Sequence, residues 1–129
     1  VFDTARRKLH IASAGHPLPI LYRLSEKKAA EIPVDSVLLM GFGPYADVPV
    51  TEVDLHPGDR LLFYTDGVTD RFNESQERYG TKRLLQQFAD AAPADDPGAV
   101  IRAIIGDLSQ FAGGSPANDD EAMLVMVVD

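Results

Sequence analysis

The residues Leu61 to Tyr64 form a short unbroken apolar run, closed in front by Pro57-Gly58-Asp59 and behind by Thr65-Asp66-Gly67. Such a run between turn signals reads as a β-strand buried on both faces. Asp66 then stands where a core strand ends and the chain turns at Gly67. A carboxylate there is held rigidly and still faces solvent or a metal. A second unbroken apolar run, Met123 to Val128, reads as another core strand, and Asn118-Asp119-Asp120 precedes it. One acidic group follows a strand and the other precedes one. If the two strands are antiparallel neighbours, both fall at the same edge of the sheet. Carboxylates gathered at one edge are costly to keep ionised unless a cation joins them. Hard divalent ions such as Mg²⁺ or Mn²⁺ prefer those oxygen ligands. The pattern thus points to a metal site at Asp66 and Asp119. The plainer alternative makes them a turn residue and a loop residue.

The chain has 129 residues, enough for one domain with a real core, and its 45% hydrophobic content fits a globular protein. With no cysteine, disulfides, thiolate metal sites and cysteine nucleophiles are excluded. A net charge of -8 and a pI near 4.7 argue against nucleic acid or an anionic membrane as a general partner. No apolar run approaches the roughly 20 residues that span a bilayer. No signal peptide precedes the domain, so cytoplasmic residence is expected. The chain opens at Val1 without a methionine, which points to a piece of something longer.

Lys8 to Ala14 and Pro19 to Leu24 read as two strands, joined around Gly15-His16-Pro17 into a hairpin with a slightly long connection. Ala29 to Pro33 reads as a short edge strand, Val37 to Tyr45 as an irregular loop, and Val50 to Leu55 as a half-exposed strand. Arg71 to Gly80 is polar and loop-like. Thr81 is placed to cap a helix with Leu84, Leu85, Phe88 and Ala92 on its apolar stripe. Asp96-Pro97 starts a second helix, with Ile101, Ile104, Ile105 and Leu108 on its face, and Gly113-Gly114 ends it. The layout is α+β: mostly antiparallel strands, two helices, then a strand returning to the sheet.

Other chemistry is sparse. His16 reads as a structural or exposed turn histidine, or as one that points into the acidic site and orients a ligand or water. No serine carries an elbow motif, and Gly41-Phe42-Gly43 lacks the context of a phosphate-cradling loop. If the turn after Gly67 is helical, Asp70 shares a side with Asp66; otherwise it is a solvated surface residue. Asp95-Asp96 reads as a helix cap.

In order and spacing, Ala14-Gly15-His16-Pro17, Pro57-Gly58-Asp59-Arg60-Leu61, Tyr64-Thr65-Asp66-Gly67-Val68-Thr69 and Asp119-Asp120 resemble the SpoIIE-type (RsbU-like) phosphatases. These are the bacterial branch of the metal-dependent type 2C (PPM) protein serine/threonine phosphatases. The spacing from Met40-Gly41 through these motifs also fits, and the resemblance covers essentially the whole chain. It implies two packed, mostly antiparallel sheets flanked by helices, with two Mn²⁺ or Mg²⁺ ions at one end. It implies direct hydrolysis of a phosphoserine or phosphothreonine by water. Asp66 and Asp119 match the family's metal-binding, catalytic aspartates, with Asp120 beside Asp119 as a further ligand. Gly67, His16 and Asp70 stand around them. The typical substrate of this branch is a phosphorylated anti-anti-sigma factor, a STAS-domain protein in a bacterial partner-switching circuit, and an upstream sensor or regulatory domain is expected.

The family also places a metal-binding aspartate well upstream of the Ala-Gly-His turn. Nothing here corresponds to it, and Asp3 has a different context. Residues 1–129 therefore read as the C-terminal portion of a phosphatase domain, whose open core strands favour a homodimer or strand swapping. Asp70 stands where many members have Glu, and Glu121-Ala122 replace the usual apolar residue and threonine. Two other readings belong to different classes: a non-catalytic module that docks a STAS-type partner, and a structural α+β domain whose acidic edge binds nothing specific.

Overall fold

The computed structural model describes residues 1–37 and 47–129. Within them the strands are β1 (Phe2–Asp3), β2 (Lys8–Ile11), β3 (Ser13–Ala14), β4 (Ile20–Arg23), β5 (Lys28–Glu31), β6 (Ser36–Val37), β7 (Thr51–Asp54), β8 (Arg60–Tyr64) and β9 (Met123–Val127). The helices are α1 (Asp66–Thr69), α2 (Gly80–Ala91) and α3 (Pro97–Ala112). The irregular loop expected over Val37 to Tyr45, with Met40-Gly41 and Gly41-Phe42-Gly43, lies outside the described residues beyond Val37. Among the described residues no helix is long and apolar enough to cross a membrane.

β5, β4, β8 and β9 form a four-stranded antiparallel sheet in that order, and β1, β2 and β7 form a three-stranded one. A short parallel pair joins β3 to β6. β8 lies inside the larger sheet and carries the apolar run, and its alternating side chains enter two different cores. Leu62 and Tyr64 pack with Leu84, Phe88, Ile104 and Leu108 of the helices. Leu61 and Phe63 face Leu9, Leu55 and Val53, the smaller sheet's contribution. The result is a layer of helices, a sheet and a second sheet, with β8 buried on both faces as its sequence requires.

The expected hairpin does not form. β2 pairs with β7, Leu9 opposite Val53, whereas β4 pairs with β5 and β8, Ile20 opposite Leu62. Pro17 and Pro19 flank Leu18, and two residues without N–H groups favour an extended link over a tight turn. That link carries the chain from one sheet to the other, so Leu9 and Leu21 meet across the inter-sheet core. β9 is an edge strand and not a fully covered one. Leu124 lies opposite Phe63, beyond the cover of the smaller sheet, and is 57% exposed.

Helix α2 buries Leu84 and Phe88, with Ala92 just beyond and Leu85 at the margin, as its stripe requires. Thr81 is not its cap: Tyr79 holds the N-cap position without a side-chain hydrogen bond, and Gly80, at φ +78°, turns the chain into the helix. Helix α3 starts as expected, with the Asp96 carboxylate accepting from Gly98 N at 2.9 Å and Pro97 in the first turn. Its buried face is Val100, Ile104, Leu108 and Ala112, spaced four apart; Ile105 is 47% exposed. Ile104 and Leu108 are thus buried as expected, and Val100 and Ala112 take the places expected of Ile101 and Ile105.

Candidate active site

The antiparallel pairing of β8 and β9 sets Tyr64 opposite Met123. The chain leaving β8 and the chain entering β9 therefore lie side by side. Thr65 ties them together. Its N–H donates to the Ala122 carbonyl at 3.0 Å, its Oγ1 donates to the Asp120 carbonyl at 2.7 Å, and the same oxygen accepts from Ala122 N at 2.9 Å. Spent in this way, the hydroxyl does not cap the following one-turn helix α1, although Thr65 sits at its N-cap.

Asp66 opens α1 and is exposed. Gly67 is buried against the neighbouring segment: a Cβ there would collide with the Asp120 carbonyl oxygen and lie 2.9 Å from its carbon and 3.3 Å from the Asp119 carbonyl carbon. Only glycine lets the two backbones approach this closely. Asp119 and Asp120 are exposed beside it, the Asp119 carboxylate accepting from Asp120 N at 2.7 Å. Asn118 Nδ2 donates to the Asp70 carbonyl at 3.2 Å and extends the seam.

The structure thus brings Asp66, Gly67, Asp119 and Asp120 to one edge of the larger sheet. His16 is exposed at the same end, where with Phe63, Thr65, Met123 and Leu124 it lines a recess of about 200 Å³. Asp70 is the C-cap of α1, its N–H bonded to the Asp66 carbonyl at 2.7 Å. Its carboxylate lies 3.4 Å from Arg78 Nη1, so it is drawn toward that guanidinium.

Two positioning residues carry no sequence signal as site residues. Arg71, read as part of a polar loop, donates through Nη1 to Glu121 at 2.9 Å and through Nη2 to the Ser115 carbonyl at 2.6 Å. It thereby holds both ends of the loop that bears Asp119 and Asp120, and it gives Glu121 a partner. Asp59 is 1% exposed and accepts from Arg23 Nη1 at 2.6 Å, His56 N at 2.9 Å and Leu24 N at 3.2 Å. It locks the turn into β8 at the end opposite Asp66.

For a divalent metal the donor chemistry fits, because every side chain gathered at this edge from the two strand ends offers oxygen. Gly67 also leaves no bulk between Asp66 and the Asp119–Asp120 backbone. Among the described residues, however, no group of three or more His, Cys, Asp or Glu side chains is close enough to hold an ion. Asp66, Asp119 and Asp120 could supply one side of a coordination shell.

The family model described as Stage II sporulation protein E (SpoIIE) matches residues 1–129. The SiaA-PP2C domain of Pseudomonas aeruginosa superposes with a TM-score of 0.80 at 25% identity, covering 96% of this chain and 48% of that one. The RsbU and RsbW domains of Rv1364c from Mycobacterium tuberculosis give 0.75 at 27% identity, covering 98% of this chain and 34% of the other. The phosphatase domain of the Bacillus subtilis cell fate determinant SpoIIE, presoaked with Mn, gives 0.76 at 16% identity over 100% of this chain and 54% of that one, a likeness of fold. The chain spans about half of these structures or less. These superpositions show a shared fold over the length of this chain, and the whole-length family match makes the chain a member of the SpoIIE family.

Proposed function

We propose that this chain contributes the Asp66 and Asp119 edge of a metal-dependent protein serine/threonine phosphatase site. In this reading residues 1–129 are the C-terminal portion of the phosphatase domain. The observation that carries it is the seam at Thr65 and Gly67, which sets two carboxylate-bearing segments from antiparallel strand ends side by side. Asp66, Asp119 and Asp120 would hold Mn²⁺ or Mg²⁺, two ions in the complete site, whose chemistry is to lower the pKa of water and neutralise phosphoryl oxygens. The chain's own part is positional. Thr65 fixes the spacing of the two segments, Arg71 holds the second loop, and His16 stands at the rim to orient a ligand or water. The substrate class is a phosphorylated STAS-domain anti-anti-sigma factor, the partner expected of a SpoIIE-type domain, with an upstream sensor domain setting its activity.

The test is hydrolysis of p-nitrophenyl phosphate and of a phosphorylated STAS protein by the 129-residue chain, with and without Mn²⁺, beside Asp66→Asn. Turnover that requires Mn²⁺ and disappears in the variant supports the reading. One observation favours a second reading, a module that docks the STAS partner without hydrolysis: among the described residues the acidic groups do not assemble a three-ligand set. Partner binding that survives Asp66→Asn, with no turnover in either protein, selects that one.

A further inference from the structure

The chain contains four lysines, and three of them converge. Lys27 in the β4–β5 turn, Lys28 at the start of β5 and Lys82 in the first turn of α2 line one groove of about 460 Å³, floored by Leu85 and Gln86. Among the described residues none of the three makes an ion pair, whereas the fourth, Lys8 on the smaller sheet, contacts Glu52 at 3.1 Å and Asp54 at 3.6 Å. The carboxylate lining the groove, Asp90, is engaged by Gln86 Nε2 at 3.0 Å. Three lysines lining one groove without a salt bridge stand out on a chain with a net charge of -8, since like charges repel unless an anion joins them.

The groove also runs beside an open sheet edge. β5 is the terminal strand of the four-stranded sheet, so among the described residues no strand pairs with the backbone groups on its outer side. An extended peptide can add to such an edge through main-chain hydrogen bonds while its side chains select the partner. We propose that the groove between β5 and α2 docks an extended, acidic segment of a protein partner. The segment pairs along β5 and sets its carboxylates against Lys27, Lys28 and Lys82. The net charge of -8 disfavours a broad polyanion such as a membrane or nucleic acid, whereas a short acidic strand needs only the groove where the lysines are. A lone phosphate could satisfy the ammonium groups but would leave the β5 edge unused. The inference stands apart from the reading of the Asp66 edge, because none of the three lysines belongs to that site and the readout is binding.

The probe is a fluorescent peptide of alternating glutamate and valine, followed by anisotropy, with ¹⁵N-resolved NMR to locate it. The variant combines Lys27→Gly, Lys28→Gln and Lys82→Gln. Lys27 sits at φ +53°, where glycine is at least as comfortable, and glutamine suits both strand edge and helix. The expected result is binding that weakens about tenfold in the triple variant, from the loss of three exposed charge contacts. Binding also weakens as salt rises from about 0.1 M to about 1 M and the screening length falls from ~10 Å to ~3 Å. NMR shifts fall on β5 and the first turns of α2, and Lys8→Gln changes nothing. Equal peptide affinity in the triple variant overturns the proposal. So does displacement of the peptide by inorganic phosphate at matched ionic strength, or equally tight, lysine-dependent binding to vesicles of anionic lipid.

Discussion

Replacing Gly67 with alanine is the sharpest test of the seam between the two acidic segments. The added methyl group would collide with the Asp120 carbonyl oxygen and sit 2.9 Å from the carbonyl carbon, with the Asp119 carbonyl carbon at 3.3 Å. Ordinary carbon contacts lie at about 3.5–4.0 Å, so one backbone must withdraw by roughly 1 Å. All three obstructing atoms are main chain, and no side-chain rotation relieves them. Overpacking of this kind costs about 1–3 kcal/mol. The withdrawal also stretches the hydrogen bond from Thr65 Oγ1 to the Asp120 carbonyl, now 2.7 Å, worth about 1 kcal/mol. A total of about 2–4 kcal/mol corresponds, at roughly 4 °C per kcal/mol for a domain of this size, to a fall in Tm on the order of 10 °C. Circular dichroism melts of Gly67→Ala measure it, with Gly106→Ala as the control. Gly106 lies inside α3 with nothing within 4 Å of where its Cβ would be. The control should gain about 0.5–1 kcal/mol from helix propensity and lower unfolded-state entropy. A Gly67→Ala protein that melts with the wild type, beside a stabilised Gly106→Ala, would refute the close approach of the two segments.

Two further expectations concern charge. Asp107 is hydrogen-bonded by Arg83 at 2.7 and 2.8 Å and by the Tyr79 hydroxyl at 2.8 Å. Arg83's hydrogen bonds, reinforced by Tyr79, hold its carboxyl below the ordinary carboxylate range despite partial burial. With a folded pKa below the unfolded value of about 3.9, its stabilisation is complete above that value and is lost as pH falls through the folded one. Asp107→Asn should therefore cost about 1–2 kcal/mol at neutral pH, discounted for the half-exposed Arg83. Urea titrations should show the difference from wild type shrinking as pH falls below the ordinary carboxylate range. Asp59→Asn should cost about 3 kcal/mol in the same assay, because it replaces a buried carboxylate that serves an arginine and two backbone N–H groups; a change under about 0.5 kcal/mol would contradict that role.

What could be read from the sequence divides along a physical line. Runs and periods that satisfy themselves locally were legible: the two-faced strand at Leu61–Tyr64, the Leu84 and Phe88 stripe, the Asp96-Pro97 helix start and the Gly113 stop. Partners set by tertiary packing were not. The hairpin expectation failed because β2 and β4 alternate equally well in either sheet, and the choice rests on the Pro17–Pro19 link and on β7, which arrives some forty residues later. The face of α3 was legible in part: Ile104 and Leu108 are buried as expected, whereas Ile105 is exposed and Val100 and Ala112 complete the stripe in place of Ile101 and Ile105.

The acidic edge shows the same division within a few residues. The juxtaposition of Asp66 and Asp119 was legible because each lies a few residues from the end of an apolar run, and antiparallel pairing of neighbouring strands brings those ends together. Asp59 stood in the same Pro-Gly-Asp turn that marked the strand, yet nothing in that turn shows that its carboxylate is buried under Arg23. Arg71 had no signal at all, because its two partners, Ser115 and Glu121, lie 44 and 50 residues away. Strand ends place the carboxylates, and long-range hydrogen bonds hold the loops that carry them. A substitution at Arg71 should accordingly loosen the Asp119 loop without touching β8, whereas one at Thr65 disturbs both strand ends at once.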